Sequence, residues 1–117
     1  MGAPIAARYP DRVRIEEIPT LGRETRLRPA PRIRCREVGG EAVLLDLGAG
    51  TYFGLNATGT VIWRCVEGGA SLAEAEAAVT GKFDIEPQRA WADLVELVAN
   101  LLERGLVVVE SAGRVTG

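Results

Sequence analysis

Two cysteines (Cys35 and Cys65), one lysine (Lys82) and no histidine make up the chain's stock of soft ligands and easily activated nitrogen and sulfur groups. Without histidine, Ser-His-Asp and Cys-His nucleophile systems are excluded. Two cysteines that form no CxxC pair, with no imidazole to help, do not make a zinc site. In a cytosolic chain they read as reduced thiols. No paired carboxylates sit where apolar walls would raise a pKa for acid–base work. The residue inventory therefore points away from an enzyme, a metal centre and a bound cofactor.

The arginines are numerous and unevenly placed. Residues 1–36 hold nine arginines against four acids, about +5, whereas residues 37–117 hold five basic residues against twelve acids, about −7. Arg23, Arg26, Arg28, Arg32, Arg34 and Arg36 fall within fourteen residues. A basic stretch ahead of an acidic body can be a solubilising tail, a dock for an acidic partner enzyme, or a phosphate-binding arm. Phosphate binding fits poorly with an acidic body, so no nucleic acid is expected.

The length of 117 residues suits one domain. Apolar residues at 47% and charged residues at 26% are ordinary for a soluble globular chain. No apolar run approaches the roughly 18–20 residues that cross a bilayer. Arg8, Asp11, Arg12 and Arg14 interrupt any secretory apolar segment. No membrane association and a cytoplasmic location are the expectation.

Five of the six prolines (Pro4, Pro10, Pro19, Pro29 and Pro31) lie in residues 1–31, where the apolar pattern is broken. This predicts an extended or disordered arm over 1–31, a domain over 32–110 and a tail over 111–117. Within the arm, residues 12–18 alternate weakly and fit an edge strand.

From Arg32 onward the periods sharpen. Ile33-Arg34-Cys35-Arg36 alternates as a half-buried strand does. Gly39-Gly40 turns into a second strand over 41–47, and Gly48-Ala49-Gly50 leads into a third over 51–55. Asn56 is a good N-cap for a helix over 57–66 that Gly68-Gly69 ends. Ser71 and Glu74 form the capping box of a helix over 72–82. Pro87 suits the first turn of a third helix, on which Trp91, Leu94, Val95, Val98, Leu101 and Leu102 make a long apolar stripe. Gly105 stops it, and residues 106–109 fit a short final strand. The predicted class is α+β, a three-stranded antiparallel sheet followed by three helices, winged helix-turn-helix-like. An open three-stranded sheet has two edges, of which at least one must be covered or used.

Val43-Leu44-Leu45-Asp46-Leu47, then Gly50-Thr51-Tyr52-Phe53-Gly54-Leu55-Asn56-Ala57-Thr58-Gly59 and Ile62-Trp63, resemble the PqqD-like family, also known as the RiPP recognition element. So does Leu101-Leu102-Glu103-Arg104-Gly105-Leu106-Val107. The resemblance implies a non-catalytic adaptor that binds the leader of a ribosomally made precursor peptide. The leader would add as an antiparallel strand on the third strand, in a groove against the third helix. The LLDL and YFGLN pieces look more like the stand-alone recognition protein of lasso-peptide pathways, which implies a leader peptidase and an asparagine-synthetase-like cyclase as partners. A pyrroloquinoline quinone chaperone working with a radical SAM enzyme is the alternative within the family. A winged-helix DNA-binding regulator is the alternative outside it.

Carried onto this chain, the resemblance nominates Thr51, Tyr52, Phe53, Gly54 and Leu55 as the peptide-binding strand. Trp91, Val95, Val98 and Leu102 are nominated as the opposite wall; Asp93, Glu96 and Glu103 are candidates to meet a basic leader residue, with a solvated helix face as the alternative and the preferred reading for Asp93. Trp91, Leu94, Val98 and Leu101 also have the spacing of plain core. Pro19-Thr20-Leu21-Gly22 partly resembles a lasso-leader element, so the arm itself is a further candidate occupant of the groove.

Overall fold

The computed structural model describes residues 21–111. The predicted edge strand over 12–18, Pro19 and Thr20 and the tail beyond 111 lie outside the described residues. The order is β1 (Arg26–Pro29), β2 (Ile33–Val38), β3 (Glu41–Asp46), β4 (Thr51–Gly54), α1 (Ala57–Glu67), α2 (Leu72–Lys82), α3 (Pro87–Glu103) and β5 (Val107–Ser111).

The predicted meander forms from β2, β3 and β4. Gly39 and Gly40 both adopt positive φ, 63° and 85°, as a two-residue hairpin turn with the right twist requires. Ile33 pairs with Asp46 and Val38 with Glu41, while Val43 pairs with Gly54 and Asp46 with Thr51. The alternation turns Ile33, Ala42 and Leu44 inward, where all three are buried.

The helices start where their capping residues predict. The Asn56 side chain accepts from the Gly59 N–H at 2.8 Å. Glu74 N–H donates to Ser71 Oγ at 3.2 Å and Ser71 N–H donates to Glu74 Oε1 at 2.8 Å, which completes the capping box. Pro87 occupies the first turn of α3. Ile62, Trp63 and Val66 of α1, Leu72, Ala75 and Val79 of α2, and Leu94, Val98 and Leu101 of α3 meet Leu44 in one core. Thr60, buried, joins sheet to helix: its Oγ1 accepts from the Ala42 N–H and donates to the Asn56 carbonyl, each at 2.8 Å.

Residues 21–31, read from sequence as arm, are packed. β1 pairs antiparallel with β5 in a separate two-stranded sheet. Leu27 has no exposure at all. Ala30 N–H donates to the Leu106 carbonyl at 2.9 Å, and Leu72 N–H to the Thr25 carbonyl at 2.9 Å. The cause is visible in the residues: β1 is four long with one buried side chain, too short to show a period, and Pro29 sits at its end, where a missing N–H is tolerated. Three arginines of the basic run act as ties. Arg23 pairs with Glu76, Arg26 hydrogen-bonds the Gly69 carbonyl, and Arg32 reaches both Asp46 at 2.9 Å and the Gly105 carbonyl at 3.2 Å.

Leu94 is buried at the centre of α3, within the shared core. Leu94→Ala should cost about 2–5 kcal/mol of stability, measured by urea denaturation.

Candidate functional site

The sheet order β2-β3-β4 leaves β4 with one partner among the described residues. Which of its groups point outward follows from ladder parity. Leu55 N–H donates to the Ala42 carbonyl at 2.8 Å, so Leu55 and, two and four residues back, Phe53 and Thr51 spend their backbone groups on β3. Tyr52 and Gly54 therefore direct their N–H and C=O away from the sheet. A Cβ placed on Gly54 would meet nothing within 4 Å.

A buried carboxylate holds this edge in place. Asp46, at the turn into β4, accepts from the Gly48 N–H at 3.0 Å, the Ala49 N–H at 3.1 Å and Arg32 Nε at 2.9 Å. The Ala49 N–H first, then Arg32 and the Gly48 N–H, hold its carboxyl below the usual carboxylate range, against the opposing effect of burial. The hairpin and the β1–β5 sheet are thus tied through Arg32, which also bonds Gly105 beyond α3.

A cavity of about 310 Å³ lies between β4 and α3. Phe53, Leu55, Ile62 and Leu97 give it apolar walls, and Asn56, Thr58, Asp93, Glu96 and Asn100 add polar ones. A second cavity of about 240 Å³ lies at the other end of β4, lined by Thr51, Tyr52, Phe53, Arg104 and Leu106 among others. Phe53 borders both. The Arg104 guanidinium stands over its ring, 5.0 Å from the centroid.

The structure brings Thr51, Tyr52, Phe53, Gly54 and Leu55 together on the edge and its two cavities. Their side chains divide by face: Phe53 is half-buried against the core, whereas Tyr52 is 75% exposed on the opposite face. The nominated helix residues lie elsewhere. Val98 has no exposure. Trp91, half-buried, carries the Arg23 guanidinium 4.6 Å over its ring, and Val95 and Leu102 are half-buried against the core. At 100° per residue, Trp91, Val95 and Leu102 form one flank of α3, and Asp93, Glu96, Leu97 and Asn100 form the other, with Leu94, Val98 and Leu101 between them. The second flank faces the cavity. Apolarity singled out the stripe that packs on the core rather than the one that lines the cavity, because apolarity tracks burial and a cavity wall stays wet. Of the three helix acids, Asp93 and Glu96 line the groove. Leu97, Asn100 and Arg104 were not nominated; Leu97 and Asn100 stand at i+4 and i+7 from Asp93, and Arg104, at i+11, caps the end of the helix.

Leu21 packs against the core, and Arg23 pairs with Glu76 of α2 and covers Trp91. The chain therefore enters the described fold on the flank of α3 away from the groove. Cys35 and Cys65 are half-buried free thiols, and burial, the largest effect on each, pushes both up and away from the reactive thiolate. Among the described residues no cluster of three His, Cys, Asp or Glu side chains converges to hold a metal, and no helix is long and apolar enough to cross a membrane.

A family model described as coenzyme PQQ synthesis protein D (PqqD) matches residues 41–107. The chain belongs to the PqqD family. The match begins with β3, takes in β4 and all three helices, and ends on the first residue of β5. Two solved structures are similar. One, TbiB1 in complex with the TbiA(beta) leader peptide, is 28% identical with a TM-score of 0.64, over 75% of this chain and 98% of that one. The other, lasso peptide synthetase B1 complexed with the leader peptide, is 30% identical with a TM-score of 0.64, over 70% of this chain and 96% of that one. Among curated proteins none matches.

The Asp46 cluster gives a pH signature for this PqqD-family member. Its folded pKa is depressed, so its contribution is complete above the unfolded value of about 3.9 and is lost as pH falls through the lower folded value. Asp46→Asn should lower the thermal midpoint at pH 7. It should also flatten the decline of stability below about pH 4, measured by circular dichroism melts across pH.

Proposed function

We propose that this protein is a leader-binding adaptor of the lasso-peptide type. It captures the leader of a ribosomally made precursor as an added strand on β4 and presents it to a leader peptidase and a cyclase. The observation that carries the reading is the outward edge of Tyr52 and Gly54 beside the cavity walled by Leu97 and Asn100. The two similar structures, each bound to a leader peptide, support it, and favour it over a quinone-pathway chaperone. A non-catalytic role accords with two thiols held protonated and no histidine. The acids along α3 argue against duplex DNA, whose phosphates they would repel. A cytoplasmic location accords with this role.

Magnitudes assign the work between edge and groove. Tyr52 and Gly54 each offer a donor and an acceptor. At about 0.5–1.5 kcal/mol net per hydrogen bond, backbone capture supplies roughly 2–6 kcal/mol. A micromolar complex needs about 8 kcal/mol beyond the cost of association. Guest side chains buried against Phe53, Leu55 and Leu97, at about 1.5–3 kcal/mol each, must therefore supply a large part of the rest. The edge gives affinity without sequence preference, and the groove supplies the selection.

Gly54→Pro removes an outward N–H while leaving the β3 pairing of Phe53 and Leu55 intact, and Leu97→Asp puts a charge in the apolar part of the groove. Each should weaken binding of a fluorescently labelled leader peptide about tenfold or more, equivalent to about 1.4 kcal/mol, in a polarisation titration. Arg28→Ala, exposed on β1, should not change it. Absence of binding by the unaltered protein at tens of micromolar would overturn the function.

A further inference from the structure

The groove is charged in opposite senses at its two ends, and the pleat of an added strand converts that into a sequence preference. We infer that the site selects a guest segment with a basic residue, an apolar residue two positions later and an acidic residue two positions after that. The inference rests on the reading of β4 as the acceptor of an antiparallel strand.

A guest antiparallel to β4 runs from the Gly54 end toward Thr51. Its side chains alternate between faces, so every second residue enters the side that Phe53 occupies. Three consecutive such residues stand opposite Leu55, Phe53 and Thr51. The first meets the cavity that holds Asp93, Glu96 and Asn100. Acids continue beyond it, since Asp84 and Glu86 share a neighbouring cavity with Asp93 and Arg89. Arg89 lies 3.4 Å from Asp93, but both are substantially exposed, 74% and 47%, and such a pair exchanges readily. Glu96 has no ion pair with a described residue. The middle guest residue lies over Phe53 and Leu97. The third meets Arg104, which stacks on Phe53 and forms no salt bridge to a described residue. The other charged group there, Asp46, is already saturated by Arg32 and two backbone N–H groups.

Four residues of extended guest place the charges about 13 Å apart. That is beyond the screening length of about 8 Å at physiological salt, so each end acts on its own guest residue. The same arrangement fixes direction. A guest laid on in the opposite sense would bring its base to Arg104 and its acid to Glu96.

The test uses three synthetic peptides identical but for the pattern: Lys-x-Leu-x-Glu, its reversal Glu-x-Leu-x-Lys, and Gln-x-Leu-x-Gln. Each is titrated against the full chain and against the triple variant Asp93→Lys, Glu96→Lys, Arg104→Glu, all three positions being exposed. At low salt the unaltered protein should bind the first peptide about five- to tenfold more tightly than the second, with the preference shrinking as salt is added. The triple variant should invert the order of the two charged peptides. Equal binding of the two charged peptides by the unaltered protein, with the neutral one still bound, would overturn the charge pattern and leave leader binding standing. Binding of none of the three would overturn both. The titrations of the unaltered protein decide the matter even if the variant does not fold.

Discussion

The outer hydrogen-bonding edge of β4, which no described strand pairs with, governs the rest of this molecule. A strand with open N–H and C=O groups is ordinarily a hazard, since any other extended chain can pair with it. Here the edge is four residues long, which limits what can pair with it by accident. It is flanked by Asp93 and Glu96 at one end and Arg104 at the other. In the proposed pattern those charges select the strand that is admitted. The Asp46 cluster holds the turn that presents the edge, and through Arg32 it reaches across to Gly105 just beyond α3. Strand and helix, the two walls of the groove, are therefore linked by this carboxylate–guanidinium tie as well as by the core they share.

The groove is built from side chains that are half satisfied. Phe53 rests on the core with one face and is capped by Arg104 on the other. A guanidinium over an aromatic ring covers apolar surface at little cost in charge hydration. A guest side chain can displace that cover and gain the apolar contact. Leu97 is likewise packed against the core while lining the cavity. The candidate groove thus holds apolar side chains without exposing a broad greasy patch.

Much of the fold was legible from local signals. Glycine pairs marked turns, alternation marked β2 and β3, and Asn56, the Ser71–Glu74 box and Pro87 marked helix starts to within a residue. These are short-range effects, and the sequence carries them directly. The second sheet was not legible, because β1 meets β5 from the far end of the chain and carries one buried residue, Leu27. The strand of the candidate site was legible as a sheet edge too. The edge strand follows from the meander order, but the groove flank of α3 does not. A 17-residue amphipathic helix offers two flanks beside its core stripe, and only the way the helix lies against β4 selects Asp93, Glu96, Leu97 and Asn100 over Trp91, Val95 and Leu102.

Amide hydrogen exchange resolved at β4, with and without a leader peptide, tests the open edge most directly. The amides of Tyr52 and Gly54 should exchange fast in the free protein and become protected on peptide addition, while Phe53 and Leu55, already bonded to β3, change far less. Slow exchange at Tyr52 and Gly54 in the free protein would contradict it. So would protection that appears on peptide binding only at β1, β5 or the far flank of α3.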